Sequence, residues 1–469
     1  MANPFPDDPV FKGNFAPIVM ECEATDLPVI GELPKELAGT LYRNGPNPQY
    51  APRDRQHHWF IGDGMVHAFH IEDCKVGYRN RWVCTPKWQA EHQAGRALFG
   101  SFGNPTTTDP SVLGQDDGVA NTNIVWHGRR LMALEEAHRP FALDPTTLAS
   151  LGYCDLDPRL GRFTAHPKID PVTGELVFFA YSAGGPLTLT MAFGTIDVGG
   201  RLTRFETFRA PYSSMVHDFI VTREHVLFPV LPLTGSMERA KSGKPVFAWE
   251  PQKGSHVGVM RRDGTAAAMR WFHSEACYVF HVLNAWDEKG CIIADVMQYE
   301  AAPLFPSADG KPGDPAKTQA HLCRWSFDLS SNSDAFTRQY IDDLSAEFPR
   351  LDERFAGSPN RHGYYACRKN GDSGAEMFDC LAHIDLAAGR RTLHELPRGD
   401  AISEPIFVPR GRDAAEGDGW LLAVAYRGTE RRSDLLIFDA QALDRAPIAT
   451  VGLSHRIPFG FHGNWKPTD

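Results

Sequence analysis

Glycine and proline stand at short intervals along the whole chain, and this punctuation limits what it can fold into. The 469 residues include 42 Gly and 35 Pro, spread evenly instead of gathered into one linker. Inside a helix, Gly costs about 1 kcal/mol and Pro about 3 kcal/mol relative to Ala, so long helices have little room between the marks. What lies between is a series of short β-branched and aromatic runs. Leu176-Val177-Phe178-Phe179-Ala180-Tyr181, His225-Val226-Leu227-Phe228-Pro229-Val230 and Cys291-Ile292-Ile293-Ala294-Asp295-Val296 are examples, as are residues 322–327 and 421–426. These are strand signals, bounded by turns such as Asp170-Pro171-Val172-Thr173-Gly174. Residues 381–394 read as a hairpin, and 420–439 as another. Helical periodicity is scarce, with the best stretches near 86–98 and 341–348.

Many evenly spaced hairpins without helices between them predict an all-β fold built by radial repetition, a seven-bladed β-propeller. One such domain over residues 1–469 would take about 67 residues per blade, enough for four strands and sizeable loops. Strict repeats are not visible. The longer loops at 231–249 and 301–317 predict a loop and helix cap over one end. A formal net charge of -10 leaves no basic surplus for phosphates, which excludes nucleic acid as the expected partner. Nine cysteines without a C-x-x-C pair suit scattered thiols in a reducing compartment. The start, Met1-Ala2-Asn3-Pro4-Phe5-Pro6-Asp7-Asp8, has no secretion signal, and no apolar run is long enough to span a bilayer. These features predict a cytoplasmic protein with no transmembrane segment. They leave the oligomeric state open.

Four histidines share a wording: Phe163-Thr164-Ala165-His166-Pro167, Met215-Val216-His217-Asp218-Phe219, Val279-Phe280-His281-Val282-Leu283 and Gly460-Phe461-His462-Gly463-Asn464. Each sits in an apolar or small-residue surround beside a strand-like run. In a propeller the innermost strand of each blade ends at the central channel, so four blades can each offer one imidazole to an axial ion. This predicts His166, His217, His281 and His462 as metal ligands and as the catalytic centre. Imidazole suits Zn, Cu, Fe and Ni. Four neutral imidazoles leave the charge of a divalent ion uncompensated, which suits an Fe(II) centre that keeps sites open for O2 and substrate. The ligands must be deprotonated, so activity should fall at low pH.

Metal-bound histidines need carboxylates or carbonyls behind them. Glu136, Glu353 and Glu404 are the candidates, the last in Ser403-Glu404-Pro405-Ile406-Phe407-Val408, where an unpaired carboxylate would be costly to bury. The pairs His383/Asp385 and His273/Glu275 could begin a 2-His-1-carboxylate triad, but such i, i+2 pairs arise readily among 19 histidines. Hydrolase elbows, phosphate loops and dinucleotide fingerprints are absent.

At these residues the chain resembles the carotenoid cleavage oxygenase family nearly end to end. The likeness includes Leu41-Tyr42-Arg43-Asn44-Gly45-Pro46-Asn47-Pro48, His58-Trp59-Phe60-Ile61-Gly62-Asp63-Gly64-Met65, Ala120-Asn121-Thr122-Asn123 and all four histidine stretches. The resemblance implies a seven-bladed propeller with axial Fe(II) on His166, His217, His281 and His462, backed by Glu136, Glu353 and Glu404. Arg81-Trp82-Val83-Cys84-Thr85-Pro86, Leu98-Phe99-Gly100-Ser101-Phe102-Gly103 and Asp109-Pro110-Ser111-Val112 look like the bacterial branch that cleaves lignostilbene and isoeugenol. That branch grips a substrate phenol with a tyrosine and a lysine, where this chain has Phe102 and Glu135. Phe60 matches a cleft-lining aromatic. The resemblance therefore implies an Fe(II)-dependent dioxygenase that cleaves an alkene with O2 to aldehydes or ketones. Its expected substrate is a stilbene or phenylpropenoid-type aryl alkene, with an apocarotenoid as the alternative. A different class of reading is a non-catalytic or zinc-binding propeller scaffold.

Overall fold

The structure, a computed structural model, describes residues 4–53, 57–101, 105–369 and 377–468. Among them, seven sheets of four or more strands form the blades of a seven-bladed β-propeller, accompanied by one two-stranded ribbon. In the four-stranded blades, sequence order is spatial order, which is the meander expected of consecutive hairpins. The 420–439 hairpin pairs Trp420 with Asp439, and the 381–394 hairpin is made by strands Cys380–Asp385 and Arg390–Glu395.

The chain forms two compact units. The first comprises residues 1–155, 368–383 and 392–469. It contains a five-stranded sheet in which Gly463–Pro467 pairs with Gly39–Pro46, so a strand from near the chain's end is tied into a sheet near its start. Its six-stranded sheet repeats the device, since Val29–Gly31 pairs with Ala449–Gly452. Leu41, Phe69, Ile71, Leu422, Leu435, Ile437 and Val451 form the packed layer between these two sheets, all essentially without exposure. The second unit comprises residues 156–367 and 384–391. Its strand Leu176–Ala180 is buried at every position, whereas Leu202–Arg209, on the outer edge of the same sheet, is half exposed. Phe179, Phe193, Phe219 and Phe228 fill the layer between two of its sheets. Each such ring contributes roughly 1.5–3 kcal/mol by leaving water, so packing outweighs strand propensity here.

The helix expected near 86–98 is present as Pro86–Ala94. Thr85 caps its start by accepting from Trp88 N, and Gly95 ends it in the left-handed region at φ 65. The helix expected at 341–348 is not there. Ser345–Arg350 is a strand, because Pro349 disfavours helical geometry at Phe348 and because Glu347 and its apolar neighbours are buried together. The 231–249 stretch carries the ribbon Leu233–Gly235 with Phe247–Trp249 and the short helix Met237–Lys241. Trp249 N donates to Pro306 O at 2.9 Å, so the 301–317 loop leans on this ribbon. Seven cysteines are free thiols, but Cys367 and Cys380 are disulfide-bonded, a departure from scattered thiols. They lie on neighbouring strands of one sheet, His362–Arg368 and Cys380–Asp385. No helix among the described residues is long and apolar enough to cross a membrane.

Candidate metal centre

Each of the four histidines stands at, or just before, an edge strand of its blade. His166 precedes Lys168–Ile169, His217 precedes Ile220–Val221, and His462 precedes Gly463–Pro467. His281 lies inside Tyr278–Glu288, at a place where the register with the neighbouring strand shifts between Val279 and Val282. Such a bulge re-aims a side chain that regular alternation would send elsewhere. The local sequence sets these positions. Thr164 Oγ1 accepts from His166 N at 2.9 Å, and Phe163 stacks on Phe178 with ring centres 4.6 Å apart.

The ring nitrogens converge. His166 Nε2 lies 3.0 Å from His217 Nε2, which lies 3.2 Å from His281 Nε2. One ligand atom from each of His166, His217, His281 and His462 falls within 4.8 Å of all the others. All four rings are buried, at 4–8% exposure. A set of lone pairs aimed at one point and shielded from water is the donor set of a transition metal. With metal–nitrogen bonds of about 2.1 Å, ligands at right angles stand about 3.0 Å apart and tetrahedral ones about 3.4 Å. The 3.0 Å separation matches the right-angle value and the 3.2 Å one lies midway between the two, so both are of the size that a shared metal ion requires.

Carboxylates fix two of the rings. His281 Nδ1 meets Glu347 Oε2 at 2.5 Å, and His462 Nδ1 meets Glu404 Oε1 at 2.9 Å. An ionised carboxylate only accepts, so Nδ1 carries the proton and Nε2 keeps its lone pair for a cation. Glu347 is fully engaged: Oε2 also accepts from Phe348 N at 2.8 Å, and Oε1 accepts from the Tyr299 hydroxyl at 2.8 Å. Phe348 adopts φ +56 and stacks on His281 with ring centres 5.3 Å apart. A non-glycine residue held in that region is a local strain of the kind that clusters at functional sites. Glu404 is 2% exposed, and its Oε2 accepts from Gly463 N at 2.9 Å.

Of the expected supporting acids, Glu404 is therefore in place. Glu353 is not: its side chain is 58% exposed and pairs with Arg350 at 3.0 Å, and the carboxylate on His281 is Glu347. Sequence reasoning missed Glu347 because it sat inside a presumed helix, where an acid reads as a solvated face. Its setting, Ala346-Glu347-Phe348-Pro349, has the same idiom as Ser403-Glu404-Pro405 and was the available signal. Glu136 is half-buried just past the strand Arg130–Leu134.

Phe60 is half-buried and meets Phe461, the neighbour of His462, edge to face at 5.5 Å. Trp59 lies 4.5 Å from the same ring. Phe102 falls outside the described residues. Glu135 is half-buried, and the structure gives its carboxylate internal partners: Oε1 accepts from Val119 N at 2.8 Å and Ala120 N at 3.2 Å, and lies 3.1 Å from His138 Nδ1. Burial opposes a charge on His138, but Glu135 and Asp117 override it and lift its pKa to about 11. Glu135 thus carries its charge into an ion pair. The two alternative pairs do not build a site. His273 Nδ1 faces His256 Nδ1 at 2.8 Å while Glu275 is exposed, and Asp385 pairs with Arg361.

The family profile described as RPE65, retinal pigment epithelial membrane protein, matches residues 15–467. An isoeugenol monooxygenase of Pseudomonas putida is 41% identical over 471 residues, covering 98% of each chain. A lignostilbene-alpha,beta-dioxygenase isozyme III of Sphingomonas paucimobilis is 38% identical, covering 98% of this chain and 97% of that one. The crystal structure of a Pseudomonas brassicacearum lignostilbene dioxygenase superposes with a TM-score of 0.96 at 36% identity, over 100% of both chains. A profile match over almost the whole length, joined to relatives above 30% identity, places the chain in the RPE65 family of carotenoid oxygenases, as an enzyme that cleaves carbon–carbon double bonds.

Proposed function

We propose that the chain holds Fe(II) on His166, His217, His281 and His462 and uses O2 to split the double bond of an aryl alkene of the stilbene or phenylpropenoid kind. The reaction balances as R–CH=CH–R′ + O2 → R–CHO + R′–CHO. The carbon–carbon and oxygen–oxygen bonds break, two carbonyls form, and no further reductant is needed. The observation that carries this reading is the convergence of four buried imidazoles, two of them backed by carboxylates. When bound there, iron(II) supplies the redox chemistry that lets ground-state O2 react with a closed-shell alkene.

The protein's own part is to hold and to exclude. Glu347 and Glu404 keep the protons of His281 and His462 on Nδ1 and fix the ring planes. Glu136 is proposed as a third supporting carboxylate. Burial of the rings keeps bulk water from competing for the open positions. Phe60, Trp59 and Phe461 offer an aromatic wall beside His462 suited to aryl rings. With Glu135 committed to backbone amides and His138, a para-hydroxyl on the substrate has no partner in that carboxylate. The whole chain, residues 1–469, is proposed to act as one propeller domain.

The test is metal content of protein purified without air, for wild type, His166→Ala and His462→Ala, followed by a substrate panel. The panel holds isoeugenol, stilbenes with and without a para-hydroxyl, and an apocarotenal. We expect one iron per chain, lost in both variants, and paired carbonyl products from the aryl alkenes. Zinc in place of iron, or iron retained without His462, overturns the metal assignment. Turnover confined to the apocarotenal overturns the substrate assignment.

A further inference from the structure

One ion pair reaches the chain segments of three of the four histidines. Asp218 directly follows His217, and Lys168 stands two residues after His166. The Asp218 side chain is 2% exposed and that of Lys168 is 30% exposed. Lys168 Nζ lies 2.8 Å from Oδ1 and 3.0 Å from Oδ2, so one ammonium bridges both oxygens. Oδ1 also accepts from Phe219 N at 2.8 Å. Oδ2 accepts at 3.0 Å from the N–H of Val282, the residue after His281. The register of strand Tyr278–Glu288 shifts on either side of Val282, where this N–H turns to the carboxylate.

A buried ion pair is a poor way to gain stability, because desolvation offsets much of the attraction. Its strength is geometric: charge-assisted hydrogen bonds are short and directional. Here one carboxylate joins three segments that come from three different blades. We propose that Asp218, held by Lys168, is a positioning residue for the metal centre, setting the separations of the His166, His217 and His281 Nε2 atoms. This rests on the reading that those imidazoles hold the metal.

The sign of one substitution separates positioning from simple charge. Lys168→Met removes a cation near a cation site, so a purely electrostatic role predicts tighter metal binding. Loss of a staple predicts weaker binding. The experiment is a cobalt(II) titration of metal-free, full-length protein followed by visible absorption. It compares wild type with Lys168→Met, Lys168→Arg, Asp218→Asn and His166→Ala, with the melting temperature of each metal-free protein as the folding check. We expect Lys168→Met and Asp218→Asn to weaken binding about 10- to 100-fold, the usual effect of losing an outer partner of a metal site, and to shift the ligand-field bands. Lys168→Arg should restore most of the affinity. Should Asp218→Asn fail to fold, the half-exposed Lys168 pair of variants decides alone. Wild-type binding that His166→Ala abolishes, with Lys168→Met equal to or tighter than wild type, overturns the staple while the metal centre stands. Binding that survives His166→Ala overturns the metal centre and the staple together.

Discussion

Glu347 makes three hydrogen bonds, and each constrains a different neighbour: the His281 ring, the Phe348 backbone and the Tyr299 hydroxyl. Replacing it with Ala should weaken metal binding about 10- to 100-fold. Glu353→Ala, at an exposed acid, should leave metal affinity unchanged and stability within about 0.5 kcal/mol. Calorimetric metal titration of both variants checks this, and equal losses would return Glu353 to the site. The histidines were legible because a titratable ring among apolar residues is unusual wherever it stands. Glu347 was not, because an acid is ordinary in a helix and becomes unusual only once the backbone is known to be a buried strand. His67 shows the same limit. It is buried with its Nδ1 2.7 Å from the Tyr78 hydroxyl. Burial first, then repulsion from His455 and Arg43, depresses its pKa from 6.5 to about 3. Between those values the unfolded chain binds a proton that the folded chain refuses, so stability falls as pH drops through that window. His67→Gln should flatten the decline of melting temperature from pH 7 to about pH 4. Parallel curves for variant and wild type would refute the depressed pKa.

Elements were read well where punctuation agreed with pattern. Helix Pro86–Ala94 has a capping threonine, a proline at its first position and a glycine after its end, all visible in sequence. The 341–348 stretch offered a loose helical pattern with a contrary proline, Pro349, directly after it, and the proline was the better witness. What no local pattern carries is close approach between segments far apart in sequence. A Cβ at Gly45 would stand 2.5 Å from Gly460 Cα, and one at Gly460 would stand 2.9 Å from Asn44 O. The strand Gly39–Pro46 needs that proximity, because Phe461 N donates to Asn44 O and Asn44 N to His462 O. Gly45→Ala must therefore push the segment that carries His462. We expect a loss of about 1–3 kcal/mol of stability and weaker metal binding, by thermal melts and metal titration. A variant as stable and as well loaded as wild type would show that the segment yields freely.

At the scale of the molecule, the sequence disclosed strand content and even spacing, and hence the propeller, but not where one blade ends and the next begins. The blades differ too much in strand length and loop insertion for a repeat to appear. The C-terminal strand is where fold and function meet in one short piece of chain. Gly463–Pro467 adds five paired positions to Gly39–Pro46, Asn464 donates to Ile124 O at 2.9 Å, and His462 N donates to Thr122 O at 3.2 Å. The imidazole of His462 is a proposed metal donor and adds little to that pairing. The two roles should therefore separate. His462→Ala should melt close to wild type when both are metal-free, whereas deletion of residues 462–469 should melt far lower or fail to accumulate. Adding metal at about 100 times its Kd should stabilise wild type by about 2.7 kcal/mol and neither variant. A deletion that melts with His462→Ala would mean the last strand serves only to deliver its histidine. A metal-dependent gain in His462→Ala would overturn the four-imidazole metal assignment.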